Sequence, residues 1–163
     1  MMRIGIVSDT HGNMGAVEAV LEAAPEVELW LHAGDFVDDA RYLEKLSDTG
    51  VVKVAGNGDW PRTDVPNETV VEAAGHKIFL AHGHTYDVNH GTGILLEAAK
   101  EAGCDIAVYG HTHRVYCEKG RICVLNPGSA SRPRDEMRPS FMTAELLPGK
   151  PPEIKVYRMG EQD

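Results

Sequence analysis

The chain has 163 residues, 42% hydrophobic and 25% charged, a mix that suits one compact domain with its own core. Twenty-five acidic against 16 basic side chains leave a formal net charge of −9, which disfavours nonspecific binding to nucleic acid or anionic membrane but does not exclude a small anion held by local cations. The three cysteines, Cys104, Cys117 and Cys123, are odd in number without CxxC spacing. Cys117 and Cys123 flank a turn and could face each other, but reduced thiols in a cytoplasmic protein are the simpler expectation. Met1-Met2-Arg3 leads straight into a strand with no signal-peptide hydrophobic region, and no apolar run approaches the ~20 residues that cross a bilayer.

Residues 4–7 form an apolar run in which Ile4, Ile6 and Val7 are β-branched, and they read as a buried first strand despite Gly5. Ser8-Asp9-Thr10-His11-Gly12-Asn13 follows. Asp9 and His11 lie two residues apart, and in an extended segment such positions point to the same side. A carboxylate and an imidazole then meet at the strand's C-terminal end, where open α/β sheets place their ligands. The pair suits a hard-to-borderline divalent metal; taken alone, Asp9 reads more readily as a helix cap. A helix covers residues 14–24, with Val17, Val20 and Leu21 on one face and Pro25 ending it. A strand at 29–32 runs into Ala33-Gly34-Asp35, a helix covers 39–46, and a strand at 51–54 runs into Gly56-Asn57-Gly58-Asp59. These are parallel βαβ units with polar residues after each strand.

The second half is richer in hairpins. Residues 68–73 and 77–81 pair around Ala74-Gly75-His76, and the second strand delivers His82-Gly83-His84. A helix over 91–102 precedes a strand at 106–109 and then Gly110-His111-Thr112-His113. Strands 115–118 and 121–125 pair around Lys119-Gly120, Asn126-Pro127-Gly128-Ser129 is a loop, and strands 140–147 and 153–157 close the chain around Pro148-Gly149. The tail at 160–163 is expected to fray. With no repeat or linker to divide it, residues 1–163 read as a single domain of the α/β class. The expected architecture is a four-layer α-β-β-α sandwich, two packed mixed sheets flanked by helices.

Five polar clusters stand at predicted strand ends: Asp9/His11, Asp35, Asn57, His82 and His111/His113, each beside a glycine that lets the backbone turn sharply. Singly, Asp35 reads as a turn aspartate, His82 as a core histidine, and His111 and His113 as loop histidines. Together they look like a binuclear centre of nitrogen and oxygen ligands. The absence of cysteine from the set argues against a structural zinc site.

The order Asp-x-His, Gly-Asp, Gly-Asn-x-Asp, His-Gly-His and Gly-His-Thr-His resembles the calcineurin-like metallophosphoesterase superfamily. More narrowly, the short chain and the Asn-Pro-Gly-Ser loop resemble the small bacterial and archaeal phosphodiesterases related to the retromer phosphoesterase-like subunit. The resemblance covers the chain from Arg3 to about Tyr157. It implies that Asp9, His11, Asp35 and His113 hold one metal, and that Asp35 bridges to a second held by Asn57, His82 and His111. Two cations about 3.5–4 Å apart need a shared anionic ligand, and a hydroxide bridging them would attack phosphorus in line with the leaving oxygen. The implied activity is metal-dependent phosphodiester hydrolysis. Manganese is the first choice of metal; iron, zinc, cobalt and nickel suit the same donors. The implied partner is a small phosphodiester, with neither nucleic acid nor membrane, and an exposed strand edge in the second half offers a route to a homo-oligomer. The alternative is a catalytically weak metal-binding scaffold acting through protein–protein contacts, as in the retromer relative; the complete ligand set favours the enzyme.

Where many superfamily members carry a histidine that protonates the leaving group, this chain has Gly58. The general acid is therefore open among His84, Asp59 and metal-bound water. Asn57 and His84 are the candidate catalytic groups, His84 as a residue that orients a ligand or touches substrate. Thr10 and Asn13 read as turn residues, Arg132 and Arg134 as a solvated basic loop rather than phosphate binders, His32, His76 and His90 as structural or surface residues, and Cys104 as a small buried side chain. The pocket walls are expected at residues 60–65 and 86–90, with Trp60 beside the cleft.

Overall fold

The computed structural model describes residues 1–60, 64–135 and 138–160. The expected fraying at 161–163 and part of the expected pocket wall, at 61–63, lie outside the described residues. The elements in chain order are β1 (Met2–Val7), α1 (Met14–Ala23), β2 (Leu29–His32), α2 (Val37–Ser47), β3 (Gly50–Lys53), β4 (Glu68–Ala73), β5 (His76–Ala81), α3 (Gly93–Glu101), β6 (Ile106–Val108), β7 (Val115–Glu118), β8 (Cys123–Pro127), β9 (Ser140–Leu146) and β10 (Glu153–Arg158).

Among the described residues the strands form two five-stranded mixed sheets, ordered β10-β9-β1-β2-β3 and β4-β5-β6-β8-β7. In the first, β1, β2 and β3 are parallel, β9 is antiparallel to them, and β10 is antiparallel to β9 and so runs with β1; in the second, β5, β6 and β8 are parallel and β4 and β7 antiparallel. One apolar cluster joins the inner faces, with Ile4, Ile6, Leu31, Met142 and Leu146 from one sheet meeting Ile78, Leu80, Ile106, Val108 and Leu125 from the other. The outer face of the first sheet buries Val17 and Val20 of α1 and Leu43 of α2 against Trp30 and Phe141. The outer face of the second buries Leu95 and Ala99 of α3 against Phe79, Ala107 and Val124. This is the four-layer α-β-β-α sandwich, and burying each such side chain is worth roughly 1.5–3 kcal/mol.

The glycine that weakened β1 as a strand has a packing reason. Gly5 pairs with Trp30 across the sheet, and a Cβ there would sit 2.4 Å from the indole ring. The buried tryptophan takes the room that any side chain at position 5 would need.

Several element ends differ from the expected ones. Helix α2 starts at Val37, two residues early, because Asp38 and Asp39 in its first turn suit the positive end of the helix dipole. Helix α3 starts at Gly93, since Gly91 has a φ of 116° that no right-handed helix accepts. Pro127 is the last residue of β8 rather than part of a loop, because its missing N–H falls at a strand end. The β7–β8 connection spans residues 119–122, not Lys119-Gly120 alone, and its register sets Cys117 opposite Leu125 rather than Cys123. All three cysteines are free thiols. Among the described residues no helix is long and apolar enough to cross a membrane.

Candidate metal centre

Every expected ligand follows the C-terminal end of a parallel strand: Asp9 and His11 after β1, Asp35 after β2, Asn57 after β3, His82 after β5, and His111 and His113 after β6. The two sheets bring these ends to one place. The local route differs from simple strand alternation. β1 stops at Val7, and Asp9 and His11 both take left-handed backbone, with φ of 56° and 52°. Asp35, His111 and His113 do the same, at 45°, 68° and 59°. Left-handed non-glycine residues are uncommon and held in place by their surroundings, and such strain concentrates at functional sites. Tight packing adds to the constraint: a Cβ at Gly110 would lie 2.1 Å from Ser8 Oγ and 2.7 Å from Asp9 Oδ2.

Each central carboxylate has one oxygen fixed and one free. The Ser8 hydroxyl and the His111 backbone N–H donate to Asp9 Oδ2 at 2.7 and 3.0 Å. Asp9 Oδ1 is buried with no hydrogen-bond partner among the described residues. It lies 3.2 Å from His113 Nε2, 3.7 Å from His11 Nε2 and 3.8 Å from His82 Nε2. The Gly58 N–H donates to Asp35 Oδ1 at 2.8 Å, and Asp35 Oδ2 lies between His82 Nε2 at 3.5 Å and His11 Nε2 at 3.8 Å.

The histidines are turned the same way. His82 Nδ1–H donates to the Ala33 carbonyl and His113 Nδ1–H to the Arg132 carbonyl, each at 2.7 Å, so in the neutral ring Nε2 carries a lone pair toward the centre. His82 Nε2 is 3.0 Å and His111 Nδ1 3.2 Å from Asn57 Oδ1, and the Nε2 atoms of His11 and His113 are 3.1 Å apart. So many lone pairs converging on a buried space are costly unless cations sit among them. Asp9 with His11 and His113, and Asp9 with Asp35 and His82, each place ligand atoms within 4.8 Å of one another, with only nitrogen and oxygen donors. The residues fit hard-to-borderline divalent ions.

The electrostatics agree. Burial alone would raise the Asp9 pKa, but the facing imidazoles of His11, His113 and His82 and the Ser8 hydroxyl hold it well below the usual carboxylate range. Burial pulls His113 down, yet the Asp9 carboxylate beside it and the Arg132 carbonyl raise it overall. His84 and His111 are lowered, by burial first and by neighbouring His82 second.

Other residues fall into supporting places. Asp59, a candidate acid from sequence, is buried, with Oδ2 accepting from the N–H groups of Gly56 (2.8 Å) and Asp35 (3.2 Å) and Oδ1 accepting from that of Val37 (2.8 Å). It braces the Asp35 loop through these three amide donors. His84 stacks at tilted angles on His82 and His111, ring centroids 5.4 and 6.3 Å away, and its buried Nδ1 has no partner among the described residues. Asn13 Oδ1 caps α1 through the Ala16 N–H, and Thr10 bonds buried His32. His76 is buried against Asp105, and His90 is exposed beside Asp87. Cys104 is buried, and Trp60 is 84% exposed, in solvent rather than in a wall. Arg132 and Arg134 are exposed, as the solvated-loop reading expects, and they also border a cleft of about 360 Å³ floored by His11, Asp35, Asn57 and His113.

Sequence reasoning missed the braces behind the ligands. Ser129 and Ser131 hydroxyls donate to the Asp9 carbonyl at 2.7 and 3.0 Å, and Asp39 Oδ2 accepts from the Gly12 N–H at 2.7 Å. Asn126 Nδ2 ties the Gly110 carbonyl to the Thr112 hydroxyl, at 3.0 Å each. The Asn-Pro-Gly-Ser motif was the available signal, but its hydroxyl targets lie some 120 residues away in the chain.

Residues 2–148 match the model of the calcineurin-like phosphoesterase superfamily domain. The chain belongs to the calcineurin-like phosphoesterase superfamily. A probable metallophosphoesterase of Methanocaldococcus jannaschii, MJ0623, is 38% identical over 141 residues, covering 82% of this chain and 70% of that protein. The phosphodiesterase MJ0936 of the same organism is 34% identical over 146 residues, covering 78% and 83%. Among solved structures, vacuolar protein sorting 29 of Cryptosporidium parvum superposes with a TM-score of 0.75 at 26% identity, covering 96% of this calcineurin-like chain and 97% of that one. Kinship with this small subfamily holds across nearly the whole chain.

Proposed function

We propose that this calcineurin-like phosphoesterase is a phosphodiesterase working with two divalent ions. Metal-dependent phosphoester hydrolysis follows from family membership; the diester substrate, the second ion and the ligand sets are the proposal. Asp9, His11, Asp35 and His113 would hold one ion, and Asp35, Asn57, His82 and His111 the other. The observation that carries this reading is the pair of free carboxylate oxygens, Asp9 Oδ1 and Asp35 Oδ2, each faced by imidazole Nε2 atoms on more than one side. Two bound divalent ions supply an activated water near neutral pH and positive charge for the phosphoryl oxygens. The nitrogen and oxygen donors suit manganese, our first choice.

The chain's own residues do the rest. Neutral Asn57 adds a donor without further negative charge. The Ser8, Gly58 and His111 donors keep the carboxylates turned inward, so little reorganisation remains at the moment of reaction. Arg132 and Arg134 on the rim offer planar donors to phosphate oxygens. His84, with its unpartnered Nδ1 beside His82 and His111, is a positioning group; His84→Ala is expected to change rate more than metal content. The free thiols accord with a reducing compartment, and we place the reaction in the cytoplasm, on a small phosphodiester.

The test is hydrolysis of bis(p-nitrophenyl) phosphate and p-nitrophenyl phosphate by metal-stripped protein given Mn²⁺ or Ni²⁺ back, beside His111→Ala. Metal-dependent diester cleavage, lost in the variant, supports the reading. No turnover with two metals bound per chain would instead favour a scaffold that keeps the site for a protein partner.

A further inference from the structure

The metal centre leaves a larger recess unexplained. Beside it opens a second cleft of about 560 Å³, and Arg134 lines both. Its floor and one wall are aromatic: Tyr109 is 4% exposed and Tyr116 38%, their rings edge-on with centroids 6.5 Å apart. Val88 extends the apolar surface. The rim is cationic. Arg114 and Arg134 line it, and neither has an ion-pair partner among the described residues. Two guanidinium groups at one rim place local positive charge on a chain of net charge −9, which favours an anion there. The cleft also touches the ligand set: Asn89 lines it, and its side-chain amide lies 3.3 Å from His111 Nε2.

We infer that this cleft seats one ester arm of the substrate, and that this arm is aromatic and carries a further negative charge. The inference rests on the phosphodiesterase reading above. A planar group lies against the half-exposed ring of Tyr116, which favours offset or edge contact with another ring, with buried Tyr109 backing it. Its anionic substituent is held by Arg114, whose planar fork matches phosphate or carboxylate. Arg134, shared by the two clefts, spans from that arm toward the scissile phosphorus. A diester with two small uncharged arms would leave the tyrosines and Arg114 unused.

Three diesters that release p-nitrophenol test this: methyl p-nitrophenyl phosphate, phenyl p-nitrophenyl phosphate, and thymidine 3′-phosphate 5′-(p-nitrophenyl phosphate). In each the cleft arm stays on phosphorus, the P–O bond to p-nitrophenolate breaks, and water supplies the new oxygen and releases its proton to solvent. KM is expected to fall along this series. Arg114→Ala should raise the KM ratio of the thymidine diester to the methyl diester about tenfold, the size of one lost charge-assisted hydrogen bond. Tyr116→Ala should raise that of both ring-bearing diesters, by roughly three- to tenfold. Equal KM values across the series, or equal shifts for all three in Arg114→Ala, would overturn the inference. Calorimetric binding of thymidine 3′,5′-bisphosphate gives a readout independent of turnover. If none of the diesters is cleaved, the phosphodiesterase reading falls, and the cleft is then judged on calorimetry alone: binding weakened by Arg114→Ala upholds it, and binding indifferent to that change, or absent, overturns it.

Discussion

Strand β5 carries a histidine at its start and another just past its end, about 20 Å apart at ~3.3 Å per residue, and the two are used in opposite ways. His76 is buried with each ring nitrogen given one partner: Nδ1 lies 2.5 Å from Asp105 Oδ2 and Nε2 2.8 Å from the Leu147 carbonyl. At His82 only Nδ1 is so matched, through the Ala33 carbonyl; Nε2 looks into a space shared by Asn57 Oδ1, Asp35 Oδ2 and Asp9 Oδ1. One partner per nitrogen marks a lock between strands and loops, whereas several acceptors on one nitrogen mark room for a cation. Burial alone does not separate the two, since both histidines are buried.

The largest test of this contrast removes the shared oxygen. Asp35→Asn should lower diester turnover by more than the ~10–100-fold that losing an outer partner of a ligand costs. It should also reduce metal at both positions, counted by mass spectrometry of the dialysed protein. Full occupancy in this variant would end the assignment of Asp35 as the bridge.

A second test uses His32, which belongs with His76 by the same criterion. It is fully buried behind the ligands; the Gly34 N–H donates to its Nδ1 and its Nε2–H to the Thr10 hydroxyl. Burial pushes its pKa down to about 4. A depressed pKa makes the neutral ring's contribution complete above the unfolded value near 6.5 and lost as pH falls toward 4, because the unfolded chain binds the proton more readily. Urea midpoints measured from pH 7 to 4 should fall by the equivalent of about 3 kcal/mol, and His32→Gln should flatten that slope. An unchanged slope in the variant would show that other groups carry the acid sensitivity.

Smaller effects sharpen the boundary. Ser129→Ala removes the hydroxyl that donates to the Asp9 carbonyl and accepts from the Arg132 N–H at 2.7 Å. Metal affinity is expected to fall about 10–100-fold by titration, with the fold retained by circular dichroism. Asp105→Ala, at the other end of β5, strips the partner from His76 Nδ1 and from the Lys77 N–H. It should cost about 1–2 kcal/mol in chemical unfolding while metal content stays at the wild-type level. A drop in bound metal there would mean that the two ends of β5 are not independent.

Most elements were legible because the apolar periodicity is strong and the breaks are marked by glycine and proline. The ends were less so, for reasons that act across the chain: the acidic first turn of α2 and the register of β7 with β8 depend on partners, not on local preference. The seven expected ligands all gather at one place, but not by the route expected. Asp9 and His11 reach the same side through left-handed backbone after β1, not through strand alternation within it. Arg132 and Arg134 are solvated as expected, but nothing nearby in the sequence says that β8 and β9 carry that loop to the edge of the cleft over the metal ligands.

By itself the sequence determined the order of elements, the layers and the types of atoms available for a metal, since these follow from hydrophobic periodicity and from side-chain chemistry. Only the tertiary structure decided which oxygen of each carboxylate is free. That choice is made by the Ser8 hydroxyl and the backbone N–H groups of Gly58 and His111, donors whose direction is set by packing between strands and loops distant in the chain.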